Sequence, residues 1–168
     1  MIKVGLISDT HNKVDPLLKE VFKGVSFIIH AGDICKPDVL SELEKIAPVY
    51  AVRGNNDRDP SLSDLPESRV LEVDSLRILV AHDANDPRMG DWLSEVSPLI
   101  MVVGHSHKPG LTKEGAVYKV NPGSAGPRRF SFPRTASTLV LRGTQAPEVQ
   151  LWDLAEDKPY PLKHDLSA

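Results

Sequence analysis

Apolar and polar positions along this chain fall into short runs of two kinds. Residues 2–8 form an apolar run of β-forming residues that ends in Ser8-Asp9-Thr10-His11. Asp15-Pro16 then reads as an N-cap and first helical position. Leu17, Leu18, Val21 and Phe22 follow at helical spacing, and Gly24 stops the helix. The run 25–30 ends in Ala31-Gly32-Asp33, and Pro37 opens a second helix with Val39, Leu40, Leu43 and Ile46 on one face, closed by Pro48. A third run, 49–52, leads into Arg53-Gly54-Asn55-Asn56-Asp57. This alternation predicts a parallel α/β core with right-handed crossovers.

After a loop over 58–68, strands are predicted at 69–73 and 76–81, the second ending in His82-Asp83. A helix around 91–96 precedes the apolar run 99–103, which ends in Gly104-His105-Ser106-His107. From there the pattern changes to short strands and turns, at about 109–113, 116–120, 135–142 and 148–152. The change predicts a mixed second sheet inside a single domain spanning 1–168, not a second domain. The tail from Ala155 carries Pro159 and Pro161 and little periodicity, so it reads as a loose end or a segment packed on a partner. His164 within it reads as solvated.

Composition narrows the function. At 168 residues, 40% hydrophobic and 26% charged, the chain matches an ordinary globular domain with room for a substantial core. Its 20 basic and 23 acidic residues give a net charge of −3 and no basic stripe, so stable nucleic-acid binding is not expected. The single cysteine, Cys35, excludes an internal disulfide, fits a reducing compartment and reads as a small buried hydrophobe. With no charged-then-apolar leader and no apolar run near ~20 residues, the expectation is a cytoplasmic protein without membrane contact.

Ligands of open α/β sheets bind beyond the carboxyl ends of the strands. Asp9 and His11 follow the first run, Asp33 the second, Asn55 the third, His82 the fifth, and His105 with His107 the next. Taken singly, an Asp or Asn after a strand is a turn residue. Taken together, two carboxylates, four imidazoles and one amide at one sheet edge make an inventory for two divalent ions sharing a bridge. Nitrogen and oxygen donors suit Mn, Fe, Zn, Ni or Co and disfavour a thiolate-type structural zinc. Residues i and i+2 point the same way only in extended backbone, so His105 and His107 in a loop can splay to serve two ions. Two divalent ions less Asp9, Asp33 and a bridging hydroxide leave roughly one positive charge, which attracts an anion. A pair of ions ~3.5–4 Å apart can clamp the attacking and leaving oxygens of a displacement at phosphorus. Phosphoester hydrolysis is therefore favoured over acyl transfer, for which the chain also lacks a Gly-x-Ser-x-Gly elbow.

Asp9-x-His11, Gly32-Asp33, Gly54-Asn55-x-Asp57, His82 and Gly104-His105-x-His107, in that order, resemble the calcineurin-like metallophosphoesterase superfamily. The chain length and Asn121-Pro122-Gly123-Ser124 resemble its small YfcE-type phosphodiesterase branch, over about residues 1–142. The resemblance implies a four-layer α-β-β-α sandwich of two mixed β-sheets. It implies that Asp9, His11 and His107 hold one metal ion, that Asp33 bridges, and that Asn55, His82 and His105 hold the second. Manganese is the first expectation, with Ni, Fe, Zn or Co as alternatives. A metal-bridging hydroxide would attack a small phosphodiester or nucleotide-like substrate. Asn55, Asn56, Asp57 and His82 are the implied catalytic residues, and Asn55, Asn56 and Arg58 the implied substrate contacts. Relatives are often dimers or tetramers, which leaves the oligomeric state open, a homo-oligomer included. The other reading is a non-catalytic scaffold, since the fold persists in a retromer subunit that binds partner proteins after losing part of its metal shell. Here all seven positions keep donor atoms, which favours the enzyme.

Two positions depart from the family pattern. Where many relatives have histidine in the third motif, and the small branch often cysteine, this chain has Asn56. An amide donates hydrogen bonds but is no general acid near pH 7. The fourth-motif histidine is usually followed by glycine; here Asp83-Ala84-Asn85 stands instead, adding negative charge. Both departures predict a preference for good leaving groups and for singly charged diesters over doubly charged monoesters. Asp57 reads as a residue that ties down its loop, His30 as structural, and Asn121-Pro122-Gly123-Ser124 as a turn packed behind the metal loops. Arg53 and Arg128-Arg129 are further candidates for phosphate contact, though exposed arginines ordinarily serve solubility. Trp92 and Trp152 read as packing residues.

Overall fold

The computed structural model describes residues 1–160; the end of the tail, with His164, lies outside the described residues. Among the described residues, eleven strands and three helices are arranged in four layers. The first sheet has the order β11-β10-β9-β1-β2-β3 and the second β4-β5-β6-β8-β7. In the first, β1 (Ile2–Ile7), β2 (Phe27–His30) and β3 (Val49–Ala51) run parallel. β9 (Thr135–Leu141), β10 (Glu148–Asp153) and β11 (Lys158–Tyr160) add antiparallel strands on the other edge of β1. In the second, β5 (Leu76–Ala81), β6 (Ile100–Val102) and β8 (Val117–Asn121) are parallel, with β4 (Ser68–Val73) and β7 (Gly110–Glu114) antiparallel at the edges.

Period-two alternation sorts the core into layers. Val4, Leu6 and Ile29 of the first sheet meet Ile78, Val80, Ile100 and Val102 of the second between the sheets. On the outer face of the first sheet, Ile7 and Ile28 pack with Leu18, Phe22, Val39 and Leu43 of the layer formed by α1 (Leu18–Val21) and α2 (Pro37–Glu44). On the outer face of the second, Leu79, Ala81 and Met101 pack under Met89 and Trp92 of α3 (Met89–Val96). Strands covered on both faces explain the unbroken apolar runs in the sequence.

The structure departs from the sequence pattern in three places. α1 is a single turn, Leu18–Val21, because Asp15 Oδ1 accepts the Leu17 N–H at 2.9 Å and holds the preceding residues in a turn. α2 (Pro37–Glu44) starts at its proline but stops before Ile46, which packs from the following turn. The strands after residue 130 do not join the second sheet: β9 returns to pair with β1, and β10 and β11 follow it. Part of the expected loose tail is thus an edge strand. The NPGS segment directs this return, as Ser124 and Arg134 form an isolated bridge and the Thr135 hydroxyl donates to the Pro122 carbonyl at 2.6 Å. No described helix is long and apolar enough to cross a membrane.

Candidate metal centre

The loops leaving β1, β2, β3, β5 and β6 meet at one edge of the sandwich. The first two stay paired beyond their strands, with Asp9 N–H donating to the Gly32 carbonyl at 2.9 Å and His11 N–H to Asp33 at 3.1 Å. The Gly104 N–H donates to the His82 carbonyl at 2.9 Å, joining the β5 and β6 loops. Gly104 is where the two sheets touch: a Cβ there would lie 1.9 Å from Ser8 Oγ and 2.9 Å from Asp9 Oδ2. Five of the seven donors, Asp9, His11, Asp33, His105 and His107, adopt positive φ between 44° and 66°. This sparsely populated backbone region persists where tertiary contacts enforce it.

All seven candidate ligands lie at this edge, in two interlocking groups. Ligand atoms of Asp9, His11 and His107 fall within 4.8 Å of one another, as do those of Asp9, Asp33 and His82. His107 Nε2 is 3.4 Å from Asp9 Oδ1, and His82 Nε2 is 3.4 Å from Asp33 Oδ1 and 4.0 Å from Asp9 Oδ1. The other Asp33 oxygen faces His11 Nε2 at 3.7 Å, so Asp33 presents one oxygen to each group. Asn55 Oδ1 sits 3.0 Å from His82 Nε2 and 3.1 Å from His105 Nδ1. The two loop histidines do splay: His105 turns to Asn55 and His82, His107 to Asp9 and His11.

Whether these residues fit a cation can be judged from atoms without partners. Asp9 Oδ1, His11 Nε2 and His107 Nδ1 are buried and make no hydrogen bond. Such groups are costly to leave unpaired. His82 sharpens the point. Its Nδ1 lies 2.7 Å from the Ala31 carbonyl and so carries the proton, which leaves Nε2 as a lone pair facing oxygens of Asn55, Asp33 and Asp9. Only a proton or a metal ion at Nε2 makes that arrangement favourable. Burial opposes the charged form of His82, yet Asp33 and Asp9 outweigh it and raise its pKa. Burial likewise opposes ionisation of Asp33, but His82 and the two Asn56 donors hold its carboxyl well below the usual range. His11 is held below its ordinary value by burial, with the charge of Arg129 adding to the effect. The site thus combines two buried carboxylates with imidazole nitrogen donors, and the residues fit divalent transition metals.

Neighbouring side chains fix these donors in place. Asn56 gives Asp33 two hydrogen bonds, from its backbone N–H at 2.9 Å and from Nδ2 at 2.8 Å, so its amide is turned onto a carboxylate and away from solvent. Asp57 accepts four backbone N–H groups, those of Asp33, Ile34, Cys35 and Gly54, at 2.7–3.0 Å, and so ties two loops together. His30 is fully buried and burial pushes its pKa down to about 3. Its Nδ1 accepts the Gly32 N–H at 3.1 Å, so Nε2 carries the proton toward Thr10 Oγ1 at 3.0 Å, between Asp9 and His11. Ser124 Oγ donates to the Asp9 carbonyl, and Asn121 Nδ2 to the Gly104 carbonyl, each at 3.0 Å.

Two hollows flank His105 and Asp83. One of about 290 Å³ is lined by Asn85, Ser106, Lys108 and Lys119 among others. The second, of about 210 Å³, opens over Asn55 and His82 and contains Arg53 and Arg88, both paired with Glu67. Arg58 is exposed and is not among the residues lining either hollow. Arg88 had no local signal in the sequence: the fold of the loop after β5 brings it here. Asp83 Oδ2 lies 3.9 Å from His105 Nε2 and puts a carboxylate at the mouth.

Comparison with known proteins agrees with this geometry. Residues 2–144 match the family model of the calcineurin-like phosphoesterase superfamily domain. A probable metallophosphoesterase of Methanothermobacter thermautotrophicus is 35% identical over 150 residues, covering 83% of this chain and 84% of the relative. Among solved structures, vacuolar protein sorting 29 of Cryptosporidium parvum superposes with a TM-score of 0.79 at 23% identity, over 95% of this chain and 94% of the other. The phosphoesterase YfcE of E. coli does so with a TM-score of 0.69 at 21% identity, over 95% and 97%.

Proposed function

Because the chain belongs to the calcineurin-like phosphoesterase superfamily, we propose that it is a phosphodiesterase with a dinuclear metal centre. Asp9, His11 and His107 would hold one ion, Asn55, His82 and His105 the other, with Asp33 between them. The observation that carries this reading is the set of buried ligand atoms without partners, together with the His82 lone pair aimed at three oxygens. When bound, divalent ions supply Lewis acidity that activates water near neutral pH and offsets charge developing on phosphorus oxygens. Manganese is the first candidate and Ni, Fe, Zn or Co fit the same donors.

The chain's own residues then set the substrate. Asn56 and Asp57 act as positioning residues, the first orienting Asp33 and the second fixing the loops that carry it. With the Asn56 amide spent on Asp33 and unable to give up a proton, a poor leaving group receives no help from that position. Asp83 at the mouth repels a second negative charge more than a first. Small, singly charged diesters with good leaving groups, nucleotide-like ones included, are the substrate class. A soluble cytoplasmic setting accords with the lone Cys35 and with such substrates.

The test is metal analysis of protein purified without chelator, with assay of a generic phosphodiester. About two transition ions per chain and turnover lost in Asn55→Ala and His82→Ala are expected. The likeness to vacuolar protein sorting 29 makes a protein-interaction scaffold the second reading; a folded chain with neither metal nor turnover would establish it and overturn the first.

A further inference from the structure

The loop 126–134 stands against the buried half of the metal centre and has no role in the function proposed above. Its ends are firmly tied. Ala125 and Gly126 N–H groups donate to the Ser8 and Asp9 carbonyls, each at 3.1 Å. Arg134 Nε donates to the Gly126 carbonyl at 2.8 Å, and Arg134 pairs with Asp15 at 2.5 Å. Glycine is required at the first position, since a Cβ on Gly126 would lie 2.4 Å from the Thr10 carbonyl oxygen and 2.6 Å from that of Asp9.

The tip is built differently. Phe130 is 77% exposed and has φ of 56°, an outlying conformation for a bulky residue. Its ring meets His107 edge-on with centroids 6.0 Å apart, and Phe132 lies behind it at 6.4 Å. Arg128 and Arg129 precede it, both exposed and without a carboxylate partner among the described residues. The charge of Arg129 reaches His11. A large apolar ring held out to solvent in a strained backbone, beside a candidate metal ligand and two cations, gains little by packing on its own loop.

We propose that Phe130 is a specificity-determining residue, an aromatic platform on which a planar ring carried by the phosphate ester stacks while the phosphate lies over the donor cluster. This rests on the phosphoesterase reading for the position of the phosphate. A phosphate beside His107 and His11 leaves its substituent within reach of the Phe130 ring, and Arg129 adds attraction for the anion. Because every base or aryl group has a π-face, the platform selects rings over aliphatic groups without reading a particular base. The ligand class is a phosphate ester bearing a nucleobase or an aryl group.

Calorimetric titration tests this without relying on turnover. Manganese-loaded protein is titrated with adenosine 5′-monophosphate and with ribose 5-phosphate, which has the same sugar and phosphate and no base. The wild type is expected to bind the first about tenfold more tightly. Phe130→Ala should abolish that difference while leaving ribose 5-phosphate affinity, metal content and thermal midpoint unchanged, and Phe130→Trp should restore it. Phenyl phosphate distinguishes the source of the ring: affinity equal to the nucleotide's supports a general aryl platform, weaker affinity one matched to a nucleobase. Equal wild-type affinities for the two sugar phosphates, a preference that survives Phe130→Ala, or no binding of either overturns the proposal. A stacking preference without turnover of any phosphodiester would sink the proposed reaction and leave the platform standing.

Discussion

The two halves of the candidate metal centre are built on opposite terms. On one side, the His11 and His107 side chains are only 8% and 5% exposed and, with Asp9, carry the three orphaned ligand atoms. On the other, the His105 side chain is 45% exposed and Asn55 faces solvent, with Asn55 Oδ1 3.0 Å from His82 Nε2 and 3.1 Å from His105 Nδ1. Buried donors that lack partners lose most when no ion is present, and solvent-exposed ones such as Asn55 and His105 lose least, because water can satisfy them. The buried half should therefore bind first and most tightly. The open half, beside the hollow over Asn55 and His82, should exchange its ion more readily.

The largest expected effect comes from breaking what the halves share. Asp33→Ala removes the carboxylate that offers one oxygen to each group, and turnover of a phosphodiester should fall by about a thousandfold, roughly 4 kcal/mol of barrier; activity within tenfold of wild type would show that the halves do not depend on a common carboxylate. Next in size is the response to metal. Titrating manganese into chelator-stripped protein should raise the thermal midpoint in two steps, by roughly 5–10 °C for each ion at about a hundred times its dissociation constant. His107→Ala should eliminate the tighter step and His105→Ala only the weaker one; the reverse order would invert the comparison.

Changing the support of Asp33 gives a smaller effect. Asn56→His places a titratable ring where an amide now holds the carboxylate, and the ratio of diester to monoester turnover should fall by about tenfold. An unchanged ratio would mean that Asn56 acts only on loop geometry. The smallest effect lies outside both halves, in the Asp15–Arg134 pair that anchors the loop bearing Phe130. Burial opposes ionisation of Asp15, but the Leu17 N–H and Arg134 prevail and lower its pKa below the ordinary 3.8. A carboxyl with a depressed folded-state pKa contributes stability above its unfolded value and loses it as pH falls through the folded one. Asp15→Asn should thus cost about 1 kcal/mol at pH 7, and wild type and variant should converge only when the pH falls below 3.8 and through that folded value. Parallel melting curves across that range would assign the pair no electrostatic share.

Much of the site was legible because each donor follows a strand. Asp9, Asp33, Asn55, His82 and His105 close apolar runs, and a run's end is visible in one dimension. The partnering of donors was not. His105 and His107 are two residues apart yet serve different groups, and that split depends on left-handed φ values enforced by Gly104 packing on Ser8. Asn56 reads as a substrate contact from its place in a motif, but the β2 and β3 loops come close enough to turn its amide onto Asp33. Phe130 had no periodicity and no motif to mark it.

The four-layer class was read from the likeness of the motifs to a known family, while local chemistry along the chain was enough to determine the strand and helix runs, an α/β core with a mixed second sheet and the identities of the candidate ligands. Those follow from side-chain periodicity and donor type, which each residue carries with it. The tertiary structure alone decided that β9 to β11 return to the first sheet, that Asp33 offers one oxygen to each group of donors, and that Arg88 and Phe130 stand at opposite flanks of the site. These depend on pairings between segments far apart in the chain, such as Ile2 opposite Leu141 and the His105 N–H donating to Asp9 at 3.1 Å, and such contacts leave no mark on the local pattern of either segment.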